Sequence, residues 1–78
     1  MNEIRTATAG LVSQAIATRD VKLTRLADKT LIPRTTLQRK VAGDADFTVS
    51  ELARIAHALD MHPGELLPLD FSRQAVAA

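Results

Sequence analysis

The chain has 78 residues, with ten basic and nine acidic side chains, a net charge of +1 and no cysteine. That length makes one domain, one that buries only about 60% of its unfolded surface, and the absence of thiols excludes disulfides, zinc fingers and cysteine nucleophiles. No apolar run approaches the roughly 18–20 residues of a membrane span, and residues 1–9 lack both the basic start and the apolar core of a signal peptide, so a soluble, cytoplasmic protein is expected.

Alanine is abundant, aromatics are scarce and no strand-like alternation is sustained, so the fold class expected is all-α. Five helical segments can be placed. The first runs from about Thr6 or Thr8 to Arg19, with Val12, Ala15, Ile16 and Arg19 on one face. Gly10 weakens its early part, so residues 1–8 are expected as a flexible N-terminal arm and residues 9–68 as the domain proper. The second runs from about Lys22 to Thr30 and buries Leu23, Leu26 and Ala27. Pro33 opens the third, in a first turn where its missing N–H costs nothing, and it restricts Ile32 to extended geometry, which parts the two helices sharply. The third helix continues to about Val41, with Gly43 as its C-terminal cap.

Residues 43–47 form the next loop, and Phe47 is expected to plug the edge of the core. Thr48 or Ser50 caps the fourth helix, and Glu51 stands three residues after Thr48 as in a capping box. Leu52, Ile55, Ala56 and Leu59 form its apolar stripe. The fifth helix is short, about Pro63 to Leu67, between His62 and Pro68, and Leu66 and Leu67 pin it to the core. Residues 69–78 show no strong pattern and are expected as a tail or linker, with Leu69, Phe71 and Val76 joining Met61 and Leu66 as candidates for a dimer contact or, equally, for packing within the chain.

The near-neutral total conceals an asymmetry. Residues 19–43 hold seven basic and two acidic side chains, a net +5; residues 44–78 hold two basic and six acidic, a net −4. A basic face with an acidic remainder orients a molecule in the field of a polyanion, although an ordinary solvated surface explains a charge run equally well. The third helix adds a sharper signal. With Ile32 and Leu37 turned to the core, Arg34, Thr35, Gln38 and Arg39 point outward as a compact patch, because residues four apart share a face. An α-helix fits the major groove of DNA, where arginine bonds guanine O6 and N7 and glutamine bonds adenine N6 and N7. Lys22 and Lys40 flank the patch as candidates for phosphate contacts. The bland alternative is a bundle helix with a normal polar face; the break at residues 31–33 weighs against it.

Residues 12–67 resemble the helix-turn-helix domain of phage repressors and Cro-type regulators, the lambda-repressor-like family. The matching residues are Leu26 and Ala27 in the second helix, Ile32 in the turn, Thr35, Thr36 and Leu37 leading into Arg39, and Gly43 after the third helix. The run Leu52, Ile55, Ala56, Ala58, Leu59 follows, and then Met61 through Leu67. The resemblance implies a compact five-helix domain with its helix-turn-helix at helices two and three. It implies a sequence-specific regulator of double-stranded DNA, of phage or prophage repressor type, set on a palindromic operator as a homodimer. Carried onto this chain, it puts Arg34, Thr35, Gln38 and Arg39 at base-contact positions, Thr36 against the backbone or a thymine methyl, and Lys22, Leu23 and the loop from Ala42 and Gly43 to Ala45 against phosphate, with Lys40 beside them by its charge.

Several positions depart from the family pattern. Lys22 stands where Ser or Thr often caps the second helix, Leu23 replaces a common glutamine, and Pro33 replaces a small polar residue. Leu31 occupies a turn position often held by glycine, where a left-handed backbone would cost about 1 kcal/mol or more. A buried Arg–Glu pair common in relatives is replaced by Ile16 and Val41, and an apolar pair can match a buried ion pair in stability.

Other chemistry finds little support. His57 and His62 are expected at the surface or a boundary, without a serine, cysteine or acidic partner that would make a triad or a metal site. Asp44 and Asp46 lie in a short exposed loop, and the three glycines are too scattered for a phosphate-binding loop. No enzyme activity, cofactor, metal or small-molecule substrate is therefore expected. The alternative to DNA binding is a protein-interaction module, such as an antirepressor, an antitoxin or an assembly adaptor, in which Arg34 and Arg39 would meet an acidic protein surface.

Overall fold

Among the described residues, four α-helices and one 3-10 turn follow one another: α1 (Asn2–Thr18), α2 (Leu23–Thr30), α3 (Arg34–Val41), α4 (Val49–Ala58) and the turn Pro63–Leu66. The computed structural model describes residues 2–68, and among these there is no strand. The expected tail and its candidate dimer residues Leu69, Phe71 and Val76 lie outside the described residues.

The apolar stripes converge as their spacing requires. Val12, Leu26, Leu37, Ile55 and Leu66 are wholly buried, and Ala15, Ala27, Ile32, Leu52, Ala56 and Leu59 complete the core. Each large aliphatic side chain contributes about 1.5–3 kcal/mol by leaving water. Helix α2 packs on both α3 and α4, α1 packs on α3 and on the 3-10 turn, and α4 also meets that turn. Phe47 is half-buried against the edge of the core, the plugging position expected of it.

Two elements differ from expectation. Helix α1 begins at Asn2, not at Thr6 or Thr8, so residues expected as an arm form its first turns. Tertiary contacts hold them. Arg5 donates from Nε and Nη2 to the two carboxylate oxygens of Asp46, at 2.9 and 3.1 Å, and Thr8 and Ala9 are buried. The expected fifth helix is a single 3-10 turn. Its amides bond three residues back, Glu65 to the His62 carbonyl at 3.0 Å and Leu67 to that of Gly64 at 3.2 Å, and Pro68 follows before an α-turn can form. His62 is exposed, as anticipated, but it also caps: its Nδ1 accepts from the Gly64 amide at 3.1 Å, and its amide donates to Glu65 Oε2 at 2.8 Å.

Helices α1, α3 and α4 all end in the same way. The residue after each cap turns left-handed, at Asp20 (φ 53°), Gly43 (φ 89°) and Asp60 (φ 57°). The next amide then reaches back over the last turn: Val21 to the Ile16 carbonyl, Asp44 to Arg39 and Met61 to Ala56, at 3.2, 2.9 and 2.9 Å. These are Schellman caps, which satisfy carbonyls that the helix itself leaves open. Only Gly43 avoids the steric cost of that conformation.

Candidate nucleic-acid interface

Helix α2 lacks a capping side chain. Lys22 occupies the cap with extended backbone (φ −75°, ψ 141°) and forms no cap bond from its side chain, and Asp20, two residues ahead of it, is taken up by the left-handed end of α1. The far end of α2 is better tied. Thr30 Oγ1 donates to the Leu26 carbonyl at 2.8 Å, and Arg54 Nη1 donates to the Thr30 carbonyl at 2.8 Å. A guanidinium there also suits the negative end of the helix dipole.

The chain leaves α2 through Leu31, which takes the left-handed conformation (φ 62°, ψ 25°) and is 82% exposed. Thus the turn keeps the geometry that glycine normally serves, at the steric cost expected for leucine. Ile32 then drops into the core, and Pro33, with φ −54° and ψ 140°, stands just ahead of α3 as its cap rather than inside its first turn.

Leu37, with no exposure, fixes how α3 is rotated. Arg34, Thr35, Gln38 and Arg39 are all exposed, as are Lys22 and Ala42; Leu23, Thr36 and Gly43 are half-buried. Among the described residues the ion pairs are Arg5–Asp46 and Lys40–Glu51, so Arg34 and Arg39 face solvent with their charges uncommitted.

Lys40 behaves differently from Lys22. Its Nζ donates to both carboxylate oxygens of Glu51, at 2.6 and 2.7 Å, and the two side chains are only 14% and 12% exposed. Glu51 Oε1 also accepts from the Thr48 amide at 2.8 Å, while Thr48 Oγ1 accepts from the Glu51 amide at 3.0 Å, which completes the expected capping box. Burial pushes the Glu51 carboxyl up, but the Lys40 hydrogen bond, the Thr48 amide and the Lys40 charge together hold it below the usual carboxylate value. The hydrogen bond from Arg5 likewise lowers Asp46. Sequence reasoning misses the partnership of Lys40 with Glu51. Its one sequence signal is that Lys40 lies three residues after Leu37, and so on the inward side of α3. Ile16 and Val41 are half-buried and pack against the core where relatives are expected to place an ion pair.

Two further arginines serve the scaffold. Arg19, expected on the apolar face of α1, is exposed and donates from Nε to the Leu59 carbonyl at 2.8 Å, which ties the end of α1 to the end of α4. Arg54, which braces the end of α2, also lines an open groove over α2 and α4 with Lys29, Ala53, His57 and Ala58. Among the described residues no three His, Asp or Glu side chains gather as a metal site, and no helix is long and apolar enough to cross a membrane.

Two short helices joined across residues 31–33, the first braced by the core and the second presenting an exposed basic and polar face, define a helix-turn-helix domain. The pattern of the Cro/C1-type helix-turn-helix DNA-binding domain matches residues 12–72, most of the chain, and the chain belongs to that family. It is therefore a DNA-binding domain of the kind used in transcription regulation, and not an enzyme. No curated protein and no solved structure matches the chain.

Proposed function

We propose that the protein is a sequence-specific regulator of phage or prophage repressor type that seats α3 in the major groove of its operator. The observation that carries this reading is the face of α3: four exposed side chains, Arg34, Thr35, Gln38 and Arg39, all able to bond base edges, on a helix rotated by a wholly buried Leu37. Arg34 and Arg39 supply guanine preference, Gln38 an adenine contact and Thr35 a thymine methyl or an acceptor. Lys22, the amide of Leu23, Thr36 and the turn at Ala42 and Gly43 hold phosphates. The uncapped start of α2 supports the role of Leu23, since first-turn amides without an internal partner are ready donors to an anion. Lys40 is left out of this set because its ammonium is already held by Glu51.

On a palindromic operator two copies would sit about one helical turn apart, roughly 34 Å. Repression follows if the occupied operator overlaps the promoter, and such a protein works in the cytoplasm. The test is selection of binding sites from a pool of random duplexes, followed by titration of a selected duplex at several salt concentrations. A shared motif and a linear fall of log affinity with log salt are expected. Enrichment of no motif, together with no salt-dependent binding to any duplex, rejects the proposal.

A further inference from the structure

We infer that Glu51 acts as a positioning residue that withholds Lys40 from the DNA backbone, and that Lys40 locks α3 to α4 instead of contacting phosphate. This inference rests on the DNA-binding reading above.

Three observations carry it. First, Lys40 belongs to the last turn of α3, one residue beyond Arg39 and two short of Ala42, so it stands between members of the proposed contact surface. A free ammonium on a stem of four methylenes at that place would be within reach of phosphate. Second, that ammonium is bonded to both oxygens of one carboxylate and is largely shielded from water, whereas Lys22 at the other edge of the surface is exposed. Third, Glu51 is itself immobilised, because its side chain and its amide both bond Thr48 in the capping box. A carboxylate already held by the Thr48 amide, on a backbone anchored by the Thr48 hydroxyl, holds a cation better than a freely rotating one, since less further rotamer freedom is lost.

Two consequences follow for DNA recognition. The pair fixes the C-terminal half of α3, with Gln38 and Arg39, relative to α4 and hence to the core. It also removes one sequence-independent contact, and each such contact strengthens binding to every duplex alike. Losing a contact of that kind favours discrimination over total affinity.

The experiment compares the unaltered chain with Lys40→Met, Glu51→Gln and the double variant, on a fixed random-sequence duplex and on a selected site. Glutamine can keep the capping box, so Glu51→Gln removes the charge without removing the cap. The readout is the slope of log affinity against log salt, which changes by about 0.9 for each phosphate that the protein newly neutralises or ceases to neutralise. Lys40→Met is expected to keep the slope of the unaltered chain. Glu51→Gln is expected to steepen it by about 0.9, and to narrow the ratio of selected to random binding. The double variant is expected to return to the original slope, which also covers the case in which Lys40→Met alone folds poorly. A merely structural pair would leave the slope unmoved in all variants.

A shallower slope for Lys40→Met or for the double variant overturns the inference, because Lys40 then contacts phosphate in the complex. An unchanged slope for Glu51→Gln overturns it too. If the unaltered chain itself shows no salt-dependent binding, the DNA reading fails and this inference fails with it; if it binds and only the variant slopes disagree, this inference alone is lost.

Discussion

The ammonium of Lys40 lies 2.6 and 2.7 Å from the two carboxylate oxygens of Glu51, and this contact joins the last turn of α3 to the first turn of α4. The loop between these helices has no buried hydrophobic residue of its own and only Phe47 at the core edge. The ion pair is therefore the main polar link between α3 and α4.

Breaking that link from one side should be costly. Lys40→Met leaves a nearly buried carboxylate without its counter-charge, a change that costs about 3–5 kcal/mol in a dry interior. With the side chains 14% and 12% exposed, partial hydration should reduce this to about 2 kcal/mol. The double variant Lys40→Met with Glu51→Gln should recover part of the loss. Urea midpoints of the four proteins form the cycle, and a Lys40→Met cost below about 0.5 kcal/mol would mark the pair as no better than a surface contact.

Acid should release the same contact. The Glu51 carboxyl titrates lower in the folded chain than its ordinary value of 4.5. Its contribution is therefore complete above that value and is lost as the pH falls below it, through the folded pKa, because the unfolded chain then binds the proton more readily. Glu51→Gln should flatten this part of the stability–pH profile, measured by thermal melting from neutral to strongly acid solution. An identical acid limb in the variant would assign the acid sensitivity to other carboxylates.

Leu31 offers the opposite experiment, a stabilising one. The residue is left-handed and 82% exposed, so it bears a steric cost with almost no burial in return. Leu31→Gly removes a conformational penalty of about 1–2 kcal/mol but adds about 0.5–1 kcal/mol of unfolded-state entropy. A net gain of up to about 1 kcal/mol is expected, which raises the melting temperature of a domain this size by about 4–8 °C. A lower melting temperature would mean that the Leu31 side chain makes a stabilising contact after all.

The two classes of proposed DNA contact should separate under mutation. Gln38→Ala should alter base preference at one or two operator positions and cost about 1–3 kcal/mol there. Lys22→Ala should weaken all duplexes alike and reduce the salt slope by about 0.9. Site selection repeated with each variant checks both. Uniform weakening by Gln38→Ala would move that residue to the phosphate contacts.

Much of the helical layout is legible because its signals are local. The capping box of Thr48 and Glu51 and the core positions on α2 and α4 rest on residues three or four apart. The outward face of α3 follows from the burial of Leu37 in the same way. The elements that depart from expectation are those where local preference competes with distant contacts or with backbone limits. Gly10 argues against helix at the start of α1, yet Thr8 and Ala9 are buried against the rest of the fold, and the exposed Arg5 meets Asp46, 41 residues away. At the other end, Pro63, Gly64 and Pro68 allow one 3-10 turn where the leucines suggest a helix.

The all-α class, two short helices at about residues 22–30 and 33–41 with a break between them, and the outward residues of α3 are legible in the chain alone. These follow from periodicity and caps, which act within one or two helical turns. Long-range packing commits Lys40 to Glu51 while leaving Lys22 exposed, and it sets Arg19 and Arg54 to brace helix ends at Leu59 and Thr30. The reason is physical. A lysine carries the same charge wherever it stands, and its role depends on which carboxylate the folded chain brings within reach.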